Sequence, residues 1–138
     1  FTALDEPLPD TPDDSIDVAE PQSTDGGVWE IYLAADGEGA AHLVRTDFGE
    51  GGRHSARLSV ASPAAYAIAT TRFIYSAPYY VKGATTIREE KDIFVFCDGK
   101  LMLPEDFAID PEYAGKAQEA RAIFEAAEIA GYIAALRR

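Results

Sequence analysis

The chain has 138 residues, with 24 acidic and 12 basic side chains and a formal net charge of -12. One domain of this length can bury a core large enough to fold without a metal or a disulfide. The negative charge argues against nucleic-acid binding, because such binding requires a basic surface that displaces counterions from the phosphates. It argues equally against an anionic membrane surface, and it leaves a basic protein as a suitable partner.

Residues 1–26 have the composition of an acidic, proline-rich arm. Eight acidic and no basic side chains lie within residues 1–25, so two thirds of the net charge is found there. Prolines interrupt any helix or central strand at positions 7, 9, 12 and 21. A segment of this kind is disordered alone, so its order would require the domain's own surface, a neighbouring subunit or a lattice contact.

Residues 27–138 are predicted to form a single β-rich domain. The alternation of apolar and polar residues predicts strands at about 27–35, 40–48, 54–60 and 84–97. Alanines at the start of 64–76 favour a helical turn, but its β-branched and aromatic residues favour a strand, which we predict over 66–76. A return strand at 100–103 follows the last hairpin signal. Asp36-Gly37 and Asp98-Gly99 predict hairpin turns, because these pairs tolerate the positive φ of tight turns. The first half of the strand at 84–97 is polar on both faces, which is typical of a sheet edge or a protruding hairpin.

A helix is predicted to begin at Asp110-Pro111-Glu112, where Asp caps free amides, Pro fits the first turn and Glu complements the helix dipole. Apolar residues at helical spacing continue from Tyr113 to Leu136, which predicts one long amphipathic helix over 111–136. Its length would be about 39 Å, so part of it should project beyond a small sheet. The predicted fold is therefore α+β, an antiparallel meander of about six strands followed by this C-terminal helix.

The sequence contains no pattern that predicts a catalytic, cofactor-binding or metal-binding residue. His42 and His54 are the two histidines and Cys97 is the single cysteine, and each is interpreted as structural. A zinc site would need further ligands at suitable spacing, whereas a dyad of Cys97 with a histidine stays open as an alternative. Residues 36–39 and 49–52 lack the patterns of a calcium loop and a phosphate loop, so they are interpreted as a turn and a mobile connection.

Charged residues of both signs alternate along one predicted strand. Glu89, Glu90 and Asp92 lie beside Arg88 and Lys91. A pair of catalytic carboxylates would have to face one cleft, whereas alternating signs on a strand are typical of cross-strand ion pairs on a solvated face. We therefore interpret these residues as a solvated face.

Two features favour a protein-binding surface. Tyrosine is common in binding hot spots, because it buries a large area while it keeps a polar group. Aromatic residues are concentrated at Tyr66, Phe73, Tyr75, Tyr79 and Tyr80. In the helix, the small residues Ala130, Gly131 and Ala134 would let a sheet or a partner helix approach closely. Gly131 costs about 1 kcal/mol of helix propensity, which a tight contact at that point would offset.

Three short stretches carry a resemblance to a known family. They are Trp29 in an early strand, Tyr75-Ser76-Ala77-Pro78, and Arg88-Glu89-Glu90-Lys91-Asp92 leading into Phe96-Cys97-Asp98. Over about residues 27–105, this order resembles the small exported β-proteins related to surface-adhesin protein E. The resemblance implies an exported binding protein, periplasmic or secreted, and it transfers no catalytic residue. The sequence begins at Phe1, which fits a removed signal peptide or a trimmed start, and a cytoplasmic location is the alternative.

The sequence therefore predicts a non-enzymatic interaction protein, an accessory subunit of a larger assembly, whose partner is another protein. One alternative is an acidic inhibitor or immunity-type protein that blocks a basic partner. Another is a small enzyme that uses His54 or Cys97, with no substrate indicated. No cofactor is predicted. No transmembrane segment is predicted either, because no apolar run approaches the roughly 18 residues of a membrane span. The sequence leaves the oligomeric state open.

Overall fold

The structure, a computed structural model, describes residues 3–35, 39–103 and 110–136. These residues form one antiparallel sheet whose seven strands lie side by side in chain order. The strands are β1 (Asp14–Asp17), β2 (Gly27–Leu33), β3 (Ala40–Phe48), β4 (Gly52–Ser62), β5 (Ala65–Tyr75), β6 (Thr86–Cys97) and β7 (Lys100–Met102). Two helices follow them, α1 (Pro111–Ile123) and α2 (Ala130–Leu136). The predicted α+β class and antiparallel meander are therefore confirmed.

The sheet has seven strands instead of the predicted six, because the acidic arm supplies one of them. β1 pairs with β2, and Ile16 lies opposite Trp29 in this pairing. Val18 follows β1 and is buried in the core, so an apolar residue that is isolated in the sequence anchors the arm. Further towards the N-terminus, a short 3-10 turn covers Ala3–Asp5. The domain's own surface thus orders the arm.

The hairpin turn between β6 and β7 forms as predicted. Asp98 and Gly99 have φ values of 52° and 77°, in the left-handed region that such turns require. The other predicted turn, at Asp36-Gly37, lies outside the described residues.

The first half of β6 is an edge of the sheet, as its polar residues predict. β7 pairs only with the last residues of β6, from Val95 to Cys97. Four of the five charged side chains are solvent-exposed, whereas Asp92 is half-buried. The ion pair found at this edge runs along the strand, with Arg88 and Glu90 2.6 Å apart. The predicted cross-strand pairing is therefore replaced by a contact between side chains that share one face of the same strand.

The C-terminal helical segment starts as predicted. Asp110 Oδ1 accepts a hydrogen bond from the Glu112 amide at 2.9 Å, and Pro111 occupies the first turn. The buried side of α1 is formed by the small residues Ala117 and Ala120, which allow the helix to approach the sheet closely. In the described ranges, neither helix is long and apolar enough to cross a membrane.

The prediction of one continuous helix over 111–136 is wrong. α1 ends at Ile123, with Phe124 as its C-cap, and a 3-10 turn at Ala127–Ile129 leads into α2. Phe124 and Ile129 are both buried in the core, whereas residues five positions apart in an unbroken helix point about 140° away from each other. The break lets both side chains reach the sheet, and α2 packs against the core instead of projecting beyond it.

The two faces of the sheet differ in character. The face that packs against the helices is apolar, and its fully buried side chains include Trp29, Leu43, Ile68 and Phe94. Trp29 meets Phe124 edge-on, with ring centroids 5.6 Å apart. The opposite face buries the polar residues His42 and Ser59 and contacts the 3-10 turn of the arm. We call these the helix-covered face and the arm-covered face.

Glu128 joins the arm, the sheet and the helical segment. Its carboxylate accepts hydrogen bonds from Trp29 Nε1 at 3.0 Å and from the Ala19 amide at 2.8 Å. One helical turn later, the Tyr132 hydroxyl donates to the Asp14 carboxylate of β1. The hydrogen bond from Ala19 lowers the pKa of Glu128 below its ordinary value, so the carboxylate stays ionised far below neutral pH.

Replacement of Glu128 by Ala should destabilise the fold and loosen the arm. The substitution leaves the buried Trp29 indole N–H without its acceptor, and loss of a hydrogen bond to a charged group costs about 1–3 kcal/mol. Urea unfolding followed by the fluorescence of Trp29, the single tryptophan, measures this change. Glu125→Ala is the control, because Glu125 is an exposed acidic neighbour. Equal stabilities of the two variants would contradict the anchoring role of Glu128.

The tight contact expected at Gly131 is not found among the described residues. A Cβ atom at Gly131, or at Gly115 in the middle of α1, would meet no atom within 4 Å. At these two positions glycine therefore lowers helix propensity without allowing a closer approach of another element.

Gly115→Ala and Gly131→Ala should each stabilise the protein, by about 1 kcal/mol in the middle of α1 and by less in the first turn of α2. Gly52→Ala is the contrasting variant, because its Cβ would overlap the Phe73 carbonyl oxygen across the β4–β5 ladder. Thermal unfolding should show a higher Tm for the helix variants and a lower one for Gly52→Ala. A lower Tm for both helix variants would contradict the conclusion that a Cβ atom fits without a clash at Gly115 and Gly131.

Candidate functional site

The β5–β6 hairpin ends in a loop that presents large apolar side chains to solvent. We call residues 76–85 the tyrosine loop. Tyr79 and Tyr80 are 58% and 66% exposed, and their rings meet edge to face with centroids 5.6 Å apart. Val81 is also exposed, and Ile87, near the start of β6, is 65% exposed. Several large apolar side chains exposed at one end of a hairpin are typical of a protein-binding surface.

Backbone hydrogen bonds hold the tyrosine loop in place. The Ser76 amide donates to the Thr85 carbonyl at 2.8 Å, which closes the base of the loop. The Tyr79 amide donates to the Glu50 carbonyl at 2.9 Å, which attaches the loop to the β3–β4 connection. The exposed rings therefore project from a defined backbone, which lowers the ordering cost of binding.

The other predicted aromatic residues are separated from this exposed pair. Phe73 and Tyr75 are half-buried at the end of β5. The Arg53 guanidinium carbon lies 3.9 Å from the centroid of the Phe73 ring, and Arg53 donates to the Tyr75 hydroxyl at 3.3 Å. Tyr66 lies near the other end of β5, stacked on Phe96 with ring centroids 5.1 Å apart. Phe73 and Tyr75 thus support the base of the tyrosine loop, whereas Tyr66 belongs to a second region.

That second region is a cavity of about 490 Å³ between the sheet and the broken helical segment. We call it the helix-break cavity. Its sheet side is formed by Leu58, Val60, Tyr66 and Ile68. Its helix side is formed by Phe124, Ala126, Ala130, Ile133, Ala134 and Leu136. The predicted small residues Ala130 and Ala134 thus line open space, whereas Gly131 is exposed outside the lining.

Two charged residues, Arg121 and Glu125, border the helix-break cavity. The Arg121 guanidinium carbon lies 5.0 Å from the centroid of the Phe96 ring, and Nη1 donates to the Gly99 carbonyl at 3.4 Å. Among the residues that the structure describes, no carboxylate forms an ion pair with Arg121. The cavity therefore combines apolar walls with a cation held in position by an aromatic ring. Sequence reasoning missed this arrangement, because its members lie far apart in the chain.

A buried polar network on the arm-covered face was also not predicted from the sequence. His42 Nδ1 lies 2.9 Å from Ser59 Oγ, and Arg57 Nε donates to the same oxygen at 2.9 Å. His42 Nε2 lies 3.4 Å from the Glu6 carboxylate. Because Arg57 donates to Ser59, the serine hydroxyl is free to donate to His42 Nδ1. These partners assign the remaining ring proton to Nε2, which faces Glu6.

The order Ser59–His42–Glu6 is that of a nucleophile, a base and an acid, but the site cannot accept a substrate. Ser59 is 0% exposed, so no substrate carbonyl can reach its hydroxyl. Arg57 Nη2 also donates to the Glu6 carbonyl oxygen at 2.7 Å, which ties the arm to β4. Alternation of side chains along β3 and β4 indicates that His42 and Ser59 point away from the helix-covered face. Only the register between the two strands places His42 opposite Ser59. The network fastens the arm.

A second cavity of about 250 Å³ lies beside His54. Asp47 and Arg72 stand opposite His54 on the neighbouring strands. The Asp47 carboxylate accepts hydrogen bonds from Arg45 Nε at 2.8 Å and from the Gln22 amide at 3.2 Å. These contacts engage Asp47 in holding the arm against β3.

Cys97 is not brought together with either histidine. His54 lies on the helix-covered face, whereas Cys97 lies on the arm-covered face at the end of β6. His42 shares a face with Cys97, but β4 and β5 lie between their strands, which separates them by about 14 Å. Within the described ranges, no group of three or more His, Cys, Asp or Glu side chains could hold a metal ion.

No protein-family description matches the chain. No curated protein and no solved structure matches it either.

Both histidines make the stability of the fold sensitive to mild acid. Burial lowers the pKa of His42, and the positive charge of Arg57 lowers it further. Burial, followed by the charge of Arg72, lowers the pKa of His54. An unfolded histidine binds a proton near its ordinary pKa of about 6.5, whereas these folded histidines do so only at lower pH. Protonation in this window therefore favours the unfolded chain.

The free energy of unfolding should be steady above about pH 7 and should fall as the pH decreases below about 6.5. Asp14 and Glu128, whose pKa values are lowered in the fold, lose their stabilising contributions only below about pH 4.5. Urea unfolding at a series of pH values measures both windows. In the double variant His42→Gln/His54→Gln, the free energy of unfolding should no longer change near pH 6, but it should still fall below about pH 4.5. If the free energy of unfolding of that variant changed with pH near 6 as it does in the wild type, the histidines would be excluded as the cause.

Proposed function

We propose that this protein is a non-enzymatic interaction module, an accessory subunit of a larger assembly, that binds another protein through the tyrosine loop. The observation that carries the proposal is the exposure of Tyr79 and Tyr80 on a loop whose backbone is held by hydrogen bonds. Val81 and Ile87 add apolar surface at the same end of the hairpin. A tyrosine in an interface contributes strongly to binding, because it buries a large ring and keeps a hydroxyl for hydrogen bonding.

The surroundings of the tyrosine loop support this proposal. Protein interfaces combine an apolar centre with a polar rim. Beside the exposed rings, Lys82, Arg88 and Glu89 are exposed and carry charges of both signs. A partner that covers the rings would therefore meet hydrophilic groups at the border of the contact, where water remains available to them.

The net charge of -12 indicates the electrostatic character of the partner. Much of this charge lies on the arm, which is folded along β2 as part of the same domain. Complementary charges accelerate encounter and select partners, even where they add little to the final affinity. A partner with a basic surface around its apolar contact is the one that this chemistry favours.

The titratable clusters of the described residues support the non-enzymatic part of the proposal. His42 and Ser59 of the His42 network are buried, and Arg57 fastens the arm. Asp47, opposite His54, is bonded to Arg45 and to the arm. His42, Ser59 and Asp47 already have structural partners, whereas a catalytic site requires a base and a nucleophile that face an open cleft.

The double variant Tyr79→Ser/Tyr80→Ser should lose the partner without losing the fold. Truncation of two central tyrosines should reduce recovery of the partner by at least about tenfold. Tagged protein is used to recover partners from its native extract, and the recovered proteins are quantified by mass spectrometry. Ile93→Ser/Met102→Ser is the matched control, because these side chains are 46% and 49% exposed and lie outside the tyrosine loop.

Three outcomes decide the proposal. Loss of the same protein with the tyrosine variant, but not with the control, supports it. A strictly monomeric protein that recovers no partner contradicts it. A partner that survives both variants but dissociates as salt increases would instead favour the acidic-inhibitor alternative, because exposed charge pairs are screened by salt.

A further inference from the structure

The helix-break cavity has the dimensions and lining of a small-molecule site. Its volume of about 490 Å³ lies within the range of roughly 300–1,000 Å³ that such sites occupy. Leu58, Ile68 and Phe124 supply large apolar walls, whereas Ala130 and Ala134 occupy little of the space on the helix side. A site of this kind binds an apolar body and uses a few polar groups to orient it.

Arg121 is the polar group best placed to orient a ligand. Its guanidinium packs against Phe96, which fixes its position, and it makes one long hydrogen bond to the Gly99 carbonyl. Because a guanidinium has five N–H donors, most of its hydrogen-bonding capacity remains for another group. The planar fork of arginine matches the two oxygens of a carboxylate, and such a bond is stronger than one between neutral groups.

We propose that the helix-break cavity binds a small carboxylic acid with an apolar chain, whose carboxylate is held by Arg121. The apolar chain of this ligand lies between the sheet and α2, and its carboxylate lies beside Arg121 at the border of the cavity. Glu125, four residues further along, is exposed to solvent. Its negative charge opposes an anion weakly through water, so it reduces the affinity without preventing binding. This site is separate from the tyrosine loop, so the proposal does not depend on the proposed protein partner.

Three probes that share one alkyl chain separate the apolar contribution from that of the charged group. Octanoate, octanol and octylamine are titrated into the full chain, and binding is followed by calorimetry and by NMR shifts of the methyl groups of Leu58 and Ile68. We expect octanoate to bind at least about tenfold more tightly than octanol, because a charge-assisted hydrogen bond adds to the same apolar contact. Octylamine should bind most weakly, since Arg121 repels its ammonium group.

Four variants test the parts of the site. Arg121→Gln should reduce the affinity for octanoate to that for octanol, and Glu125→Gln should increase the affinity for octanoate by about twofold to threefold by removing a screened repulsion. Ala134→Phe fills the cavity from an exposed helix position and should weaken binding of all probes. Ala122→Phe is its control, because Ala122 is exposed on α1 and does not line the cavity.

The proposal is overturned if none of the probes binds, if octylamine binds most tightly, or if Ala134→Phe leaves octanoate binding unchanged. Equal affinities for octanoate and octanol, unaffected by Arg121→Gln, also overturn it, because the carboxylate would then have no partner. Circular dichroism confirms that each variant is folded. The variant Tyr79→Ser/Tyr80→Ser should bind octanoate as the wild type does, which distinguishes a failure of this site from a failure of the tyrosine loop.

Discussion

The hydrogen bonds accepted by the Glu128 carboxylate are the contacts on which the rest of the structure depends. They join the indole of Trp29 in the sheet and the Ala19 amide of the arm to the end of the helical segment. To accept hydrogen bonds from both Trp29 and Ala19, the Glu128 carboxylate must lie close to β2. The 3-10 turn after α1, which contains Glu128, places the carboxylate there. The same turn allows Phe124 and Ile129 to be buried together. One ionised group thus couples the order of the arm to the position of α2, and hence to the cavity beneath α2.

The two candidate binding regions lie near opposite ends of β5 and differ in chemistry. The tyrosine loop is exposed and attached by its backbone, which suits a contact with another protein. The helix-break cavity is concave and apolar and has one positioned cation, which suits a small amphiphilic anion. The β-ladders that pair β5 with β4 and β6 support both regions, and each contains one register shift, between Val60 and Ser62 and between Ile74 and Tyr75. Because the two regions share no lining side chain, each can be altered without a direct effect on the other.

Much of the fold could be predicted because it follows from interactions between residues that are close in sequence. Alternation of apolar and polar residues identified β2, β3, β4 and β6, and β-branched and aromatic residues favoured β5. The pair Asp98-Gly99 identified the last hairpin and thus β7. The start of α1 follows from Asp110 and Pro111, which act on the first helical turn. The aromatic-rich stretch was also visible, but its pattern did not distinguish the exposed Tyr79 and Tyr80 from the supporting residues. Exposure depends on what packs above a side chain, which local sequence does not specify.

The sequence by itself determined the strand order of the main meander, the acidic character of the arm and the start of the helical segment, since each depends on short-range patterns. Only the tertiary structure decided that the arm adds a strand, because β1 is short and polar and forms by pairing with β2. It also decided where the helix breaks, because burial of Phe124 and Ile129 depends on the sheet beneath them. The His42 network and the helix-break cavity likewise require strand register and helix packing, which bring together side chains that are distant in the chain.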